Sequence, residues 1–316
     1  MSPRRVIGID AGGTKLLGGV VDDGLVVHHR VHRLWRGRGR QETLDMFIEA
    51  VDEARAAAPD VQAVGFGIPS LVEWETGVSR WSNHLPLDDV PFRDLMSERL
   101  GLPVVVDNDA NAAMLAEHRS GAARNARHAV LVALGTGIGS GLLLDGRVYR
   151  GATGAGAELG HVVLDLHGPD CPGNCPGRGC VEALVSGPAI AKEGVRLARD
   201  RPDSALGRRV AAGREVTGGL VTELAHDGDA TARMALGEIG MRLGAALTGI
   251  ANALNPELIV IGGGAVAAGD FLLEPARAVV AERALPPTRE LVRIVPAHFG
   301  DEAGMLGAAL LALEAA

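Results

Sequence analysis

The chain is short of three things, and each shortage argues against a class of protein. It has only three cysteines in 316 residues. An odd count leaves a thiol over in any disulfide framework, and no apolar leader follows Met1-Ser-Pro-Arg-Arg, so a cytoplasmic protein is expected rather than a secreted, cross-linked one. It has no uninterrupted apolar run near the roughly 18–20 residues of a membrane span, so no transmembrane segment is expected. It is also short of positive charge. The formal net charge is −8, whereas a nucleic-acid partner calls for a concentrated basic face. The one basic run, Arg33 to Arg40, is brief and holds glycines; it reads as a solvated loop, with a phosphate or partner contact as the alternative. What the chain has in quantity is apolar: hydrophobic residues make up 47% and charged residues 22%. That is enough for a full core, and the length suits about two domains.

The three cysteines share one Gly/Pro-rich loop. Cys171, Cys175 and Cys180 read Cys-x3-Cys-x4-Cys, and His161 stands ten residues upstream. Thiolates joined by an imidazole offer one tetrahedral zinc set, with buried or surface thiols that share no partner as the alternative. Glu158 and Glu182 bracket this loop, so a zinc that fixes it also fixes two carboxylates. With a histidine between them, these groups suit a polyhydroxylated ligand.

Toward the N-terminus, the apolar runs Val6 to Asp10 and Leu16 to Val21 flank a glycine-rich turn, which predicts a hairpin. Backbone N–H groups at Gly12 and Gly13, with Thr14 and Lys15, suit an anion, and Asp10 suits a magnesium ion held through water. An ordinary tight hairpin fits the same residues. The spacing is not that of a Walker loop, so any phosphate here must be bound by a hairpin. A helix is predicted over 42–57 on Leu44, Phe47, Ile48 and Val51, with Thr43 as its cap. Strands follow at Val61 to Ile68 and Val104 to Val106, with a loop over Trp81 to Pro86 and a helix from Phe92 to Leu100 between them. Alternating strands and helices predict an α/β sheet, whose ligands gather at the carboxyl ends of the strands. Asp107-Asn-Asp-Ala-Asn111 lies at such an end. Asp109 fits either the N-cap of the helix that follows or a general base.

The second half repeats this outline. A strand from His128 to Leu134 meets the glycine turn Gly135 to Gly141, which holds Thr136 and Gly137, and the apolar Leu142 to Leu144 follows. Two glycine hairpins in two α/β halves suggest a duplicated architecture with a phosphate chain held between them. A helix over 230–254 then leads to the strand Leu258 to Ile261 and to Gly262, Gly263 and Gly264. Those glycines fit an adenine or ribose site, or a plain strand-to-helix turn. The last helix, about Ala303 to Leu313, is apolar on most faces and should be packed.

Taken in order, Asp10-x-Gly-Gly-Thr-Lys15, Asn108-Asp109-Ala-Asn111, Leu134-Gly-Thr-Gly-Ile-Gly139, Glu158-Leu-Gly-His161, the cysteine loop ending in Glu182, and Ile261-Gly-Gly-Gly264 resemble the ROK family of sugar kinases and repressors. Within that family the chain looks most like the bacterial ATP-dependent glucokinases. The resemblance covers essentially the whole chain. It implies an actin-like ATPase fold, hexokinase-type and ribonuclease H-like, with two α/β domains and an interdomain cleft. The small domain would span 1–118 and be completed by a C-terminal helix over 303–316; the larger domain, with the zinc loop, would span 119–302. The implied reaction is transfer of the ATP γ-phosphate to a sugar 6-hydroxyl, with Mg2+ and a structural Zn2+. Position by position, Asp109 matches the catalytic base. Asn83, Asn108, Glu158, His161 and Glu182 match sugar-holding residues, and His161 also matches the zinc ligand that joins the cysteines. Asp10, Gly12, Gly13, Thr14 and Thr136 match the phosphate and magnesium elements, with Lys15 and Gly137 beside them. Gly262, Gly263 and Gly264 match the adenosine element. Family members are commonly homo-oligomers, dimers or tetramers.

The sequence departs from the family pattern in places. Three residues separate Cys171 from Cys175 where one is usual, and Ser70 stands where glycine is usual. The nucleotide hairpin begins within the first ten residues, which leaves no room for the helix-turn-helix of a repressor and favours a kinase. Glucose is the expected acceptor; N-acetylmannosamine, N-acetylglucosamine, fructose and allose are the alternatives, and a catalytically silent sugar sensor is a further reading.

Overall fold

The structure, a computed structural model, describes residues 3–12, 15–34, 39–83 and 85–316. Gly13, Thr14 and the middle of the basic run, 35–38, lie outside the described residues. The chain divides into two compact units. The first comprises Met1–Arg127, Ser140–Ala157 and His298–Ala316, and the second His128–Gly139 and Glu158–Ala297. The segment 140–157, assigned by sequence to the larger domain, thus groups with the first unit.

In the first unit the chain runs β1 (Arg5–Ala11), β2 (Lys15–Asp22), β3 (Val27–Leu34), α1 (Arg40–Ala57), β4 (Val64–Ile68), β5 (Ser70–Glu73), β6 (Val78–Ser82), α2 (Phe92–Leu100), β7 (Val104–Asn108) and α3 (Asp109–Ser120). One sheet has the order β3-β2-β1-β4-β7, and β5 and β6 form a separate hairpin. β1 pairs antiparallel with β2 and parallel with β4, which pairs parallel with β7. The carboxyl ends of β1, β4 and β7 therefore share one edge, where Asp10 and Asn108 stand. The chain has five phenylalanines, and three of them make the centre of this core. Phe47, Phe66 and Phe92 meet edge to face with centroids 5.2 to 5.8 Å apart, and each such pair adds about 0.5–1.5 kcal/mol beyond its buried area.

The chain continues through β8 (Ala129–Leu134), β9 (Ile138–Leu144), β10 (Arg147–Tyr149), α4 (Val181–Val185), α5 (Gly187–Arg199), α6 (Ala205–Ala211), α7 (Gly218–His226), α8 (Ala230–Leu254), β11 (Leu258–Gly262), α9 (Asp270–Arg283), α10 (Thr288–Leu291), β12 (Arg293–Pro296) and α11 (Ala303–Ala315). The second sheet has the order β10-β9-β8-β11-β12, with β11 parallel to β8 and β12. α8 begins on the Asp229 side chain, which accepts from Ala232 N at 2.8 Å, and ends on Asn255 in the left-handed conformation. α11 returns to the first unit, where it packs on α3, β1 and β4. Nearly all of its residues are buried, which explains its lack of a polar face.

Several expectations need correction. The N-cap of α1 is Gly39, not Thr43; the Thr43 hydroxyl is one turn in and donates to the Gly39 carbonyl at 3.0 Å. The N-cap of α3 is Asn108, not Asp109, because Asn108 is extended and its Oδ1 accepts from Ala110 N at 2.9 Å and Asn111 N at 3.2 Å. The strand predicted from Val61 starts at Val64, and Trp81 and Ser82 end a strand rather than lie in a loop. The glycine turn after β8 closes by Gly137, since β9 is already a strand at Ile138. Of the basic run, Arg33 ends an edge strand and pairs with Glu53, and Arg40 donates to the Pro86 and Asp88 carbonyls. Among the described residues, no helix is long and apolar enough to cross a membrane.

Candidate active site

Each unit gathers part of the predicted set. In the first, Asp10 stands near the end of β1 and Asp109 opens α3. Asp10 lies against the first turn of α11: a methyl group at Gly304 would fall 2.6 Å from both Asp10 carboxylate oxygens, so only glycine allows this approach. Burial and the neighbouring Asp109 push the Asp10 carboxyl up to about 8, and Asp301 adds to this while Lys15 opposes it. Lys15 Nζ is 2.7 Å from Asp301 Oδ2. Burial pushes Asp109 up to about 6; bonds from backbone N–H groups, first that of Ala110, hold it down, and the Asp107 charge adds to the rise. Two acids this close, with proton affinities raised toward neutrality, make a site suited to a cation and to proton transfer. Asn108 is committed through Oδ1 to capping α3, and its Nδ2 donates to the Ser70 carbonyl at 3.4 Å. Asn83 directly follows β6. Gly12 N donates to the Lys15 carbonyl at 2.8 Å, closing the turn whose Gly13 and Thr14 lie outside the described residues.

In the second unit, Thr136 and Gly137 form the tight turn between β8 and β9, where Gly135 N donates to the Gly137 carbonyl at 2.9 Å. The first residue of α5 closes on this turn through Gly187 N to the Gly135 carbonyl, 2.9 Å. Gly262 ends β11, and Gly263 has φ 78° and sits hard against the Leu134 backbone, where a side chain has neither the space nor the conformation. Gly264 opens a short 3-10 turn, Gly264–Ala268. The glycine turn and the glycine triplet are therefore neighbours across adjacent strands, although about 125 residues separate them in sequence; shared sheet topology is what unites them.

The cysteine loop belongs to the same unit. One donor atom each from His161, Cys171, Cys175 and Cys180 lies within 4.8 Å of all the others. A tetrahedral zinc with bonds of about 2.3 Å to sulfur separates its ligands by about 3.8 Å, so this set fits with a small contraction. His161 turns Nδ1 to Cys171 Sγ at 3.5 Å and Nε2 to Glu158 Oε2 at 3.9 Å. Gly177 N points at Cys175 Sγ, 3.4 Å away. Burial, with the adjoining thiols, pushes the Cys171 thiol well up, and burial also raises Cys180. A divalent cation supplies the charge that lets such a cluster ionise. Glu182 is buried, 2% exposed, in α4. Its Oε2 accepts from Ile138 N at 2.7 Å and its Oε1 is 3.9 Å from Cys171 Sγ. This carboxylate thereby ties the glycine turn to the cysteine loop, a connection that the reading of Glu182 as a sugar ligand did not include.

Sequence reasoning also missed Arg150. Its Nε and one terminal nitrogen each lie 2.8 Å from Asp107 Oδ2, and its guanidinium stacks 3.7 Å from the Trp74 ring centre. No local spacing signals a pair 43 residues apart.

The ROK family model matches residues 6–315. A glucokinase of Thermotoga maritima is 34% identical over 317 residues, covering 99% of each chain. A putative xylose repressor of Caldicellulosiruptor sp. is 31% identical over 288 residues, 90% of this chain and 71% of that one. Among solved structures, a ROK family glucokinase from Streptomyces griseus in complex with glucose and AMPPNP superposes with a TM-score of 0.89 at 30% identity, covering 98% of this chain and 99% of that one.

Proposed function

The chain belongs to the ROK family and has its actin-like ATPase fold; from that premise we propose that it is an ATP-dependent sugar kinase whose acceptor is the 6-hydroxyl of glucose. The observation that carries the proposal is the pairing of Asp10 and Asp109 at one sheet edge of the first unit, with Asp109 held near 6 by burial. A base in that range is ionised at neutral pH and still accepts a proton in the transition state.

The sugar oxygen attacks the γ-phosphorus in line, the bond to the β,γ-bridging oxygen breaks, ADP departs, and the hydroxyl proton passes to Asp109. Gly12, Gly13, Thr14 and the turn at Thr136 and Gly137 are the residues assigned to the phosphates, and Lys15 adds a charge. Gly262 to Gly264 let the nucleoside approach the backbone. Asn83, Asn108, Glu158 and His161 hold sugar hydroxyls, and Glu182 holds the segment that presents them. Asp10 would hold Mg2+, which neutralises phosphate charge when bound. His161, Cys171, Cys175 and Cys180 would hold Zn2+; four protein donors leave no open position, so its role is structural. Glucose is favoured because the glucokinase relatives match along the whole chain and the Streptomyces griseus structure holds glucose. A protein of this kind works in the cytoplasm, as a homo-oligomer. Repressors share the family, but a sensor that only binds sugar has no use for a base at Asp109. The test is ADP release with Mg-ATP against glucose, mannose, fructose, allose, N-acetylglucosamine and N-acetylmannosamine. Selective turnover of glucose to its 6-phosphate is expected, and preference for another sugar would rename the substrate.

A further inference from the structure

The pair of buried Asp107 and half-buried Arg150 has no part in the roles above, yet it adjoins the residue assigned as base. β7 ends at Asn108 and α3 starts at Asp109, so the direction of the Asp109 carboxylate is set by how this junction is held. Asp107, 2% exposed, holds it from one side. Its Oδ1 accepts from Asn108 N at 2.8 Å and Asn111 Nδ2 at 3.1 Å, residues that flank Asp109. Its Oδ2 takes two nitrogens of Arg150. The flat face of that guanidinium lies on Trp74, just beyond β5. β5 begins at Ser70, whose carbonyl accepts from Asn108 Nδ2. The contacts thus close a ring, from Asn108 through Ser70, β5, Trp74, Arg150 and Asp107 back to Asn108, all within the first unit.

We propose that Arg150 is a positioning residue: clamped between Trp74 and Asp107, it fixes the β7–α3 junction so that Asp109 meets the sugar hydroxyl. It acts through Asp107 and touches neither substrate. The proposal rests on the reading of Asp109 as the base. The role requires arginine, since a lysine would keep the charge but lose the fork that engages Asp107 and the flat face that stacks on Trp74.

The experiment compares Arg150→Met, Asp107→Asn/Arg150→Met, Asp109→Asn and Asp109→Asn/Arg150→Met in the full chain with Mg-ATP and glucose, recording kcat, KM and the thermal midpoint. Arg150→Met strands a buried carboxylate and should lower the midpoint. It should also lower kcat about 100-fold, the scale of a misplaced catalytic group, with glucose KM within about threefold. The double variant with Asp107→Asn removes the stranded charge; its midpoint should recover while kcat stays at least about tenfold down. Added to Asp109→Asn, the Arg150 change should cost less than about threefold, because a residue that works only through Asp109 has nothing left to position. The proposal is overturned if kcat returns together with the midpoint in the double variant, if the loss persists in full in the Asp109→Asn background, or if Arg150→Met turns over normally while Asp109→Asn is inactive. Normal turnover in Asp109→Asn would instead remove the base itself, and this proposal with it.

Discussion

The two sheets are alike, each of five strands with a central strand continued by two parallel ones, yet the two units hold their functional groups in different ways. In the first unit Asp10 and Asp109 stand on regular structure: one near the end of β1 against the start of α11, the other at the head of α3, where the Asn108 cap and the Asp107–Arg150 ion pair close the joint. In the second, Glu158 and His161 sit on a single 3-10 turn and the cysteines on irregular backbone, held by scattered bonds such as Leu164 N to the Gly179 carbonyl, 2.8 Å, and Cys171 N to the Gly177 carbonyl, 2.9 Å. A strand end presents a carboxylate at a defined angle without further help. A loop of glycines and prolines does not, and a metal held by the gathered histidine and three cysteines would supply the missing rigidity. The division that we propose is between a base, Asp109, fixed by regular structure and sugar-holding residues, Glu158 and His161, fixed by a loop.

The sharpest way to break that division is Asp109→Asn. It should lower kcat by about 10²–10⁴-fold, the range of a lost general base, as coupled ADP release would show; near-normal kcat would remove Asp109 as base. Next comes the loop. Cys180→Ser, or treatment with a chelator, should remove zinc, lower the thermal midpoint and raise the glucose KM about 10–100-fold with a much smaller change in kcat. Metal analysis beside the kinetics tests this, and active protein without zinc would contradict it. A third effect is set by pH. Asp109 works ionised and its proton affinity is raised to about 6, so kcat/KM should climb through pH 6 and fall about tenfold for each unit below it. A profile flat down to pH 5 would contradict that assignment. The smallest effect concerns Glu182. Glu182→Ala leaves Ile138 N without its acceptor and should cost about 1–3 kcal/mol of stability, whereas Glu182→Gln keeps an acceptor and should cost less; chemical denaturation measures both.

Sequence made the local features legible and the long-range ones invisible. The His/Cys set fits within twenty residues, so its spacing alone suggested that the donors converge. Glycine turns after apolar runs announced both hairpins. Asn108 and Asp109 are adjacent and both are good caps, so only the extended backbone at Asn108 reveals which of them caps α3. β3 escaped notice because an edge strand that alternates histidine and arginine toward solvent resembles a charged loop. Arg150 escaped because nothing near residue 150 hints at Asp107, and the sheet that brings them together had first to be built.

The central claim is that catalysis and sugar capture reside in separable groups, and it is tested most directly by calorimetric titration of glucose into the Asp109→Asn variant beside the unaltered protein. The account predicts a glucose Kd within about threefold of the unaltered protein although turnover is lost, because the missing interaction belongs to the transition state. Loss of glucose binding in that variant would contradict the division and make Asp109 a sugar ligand first.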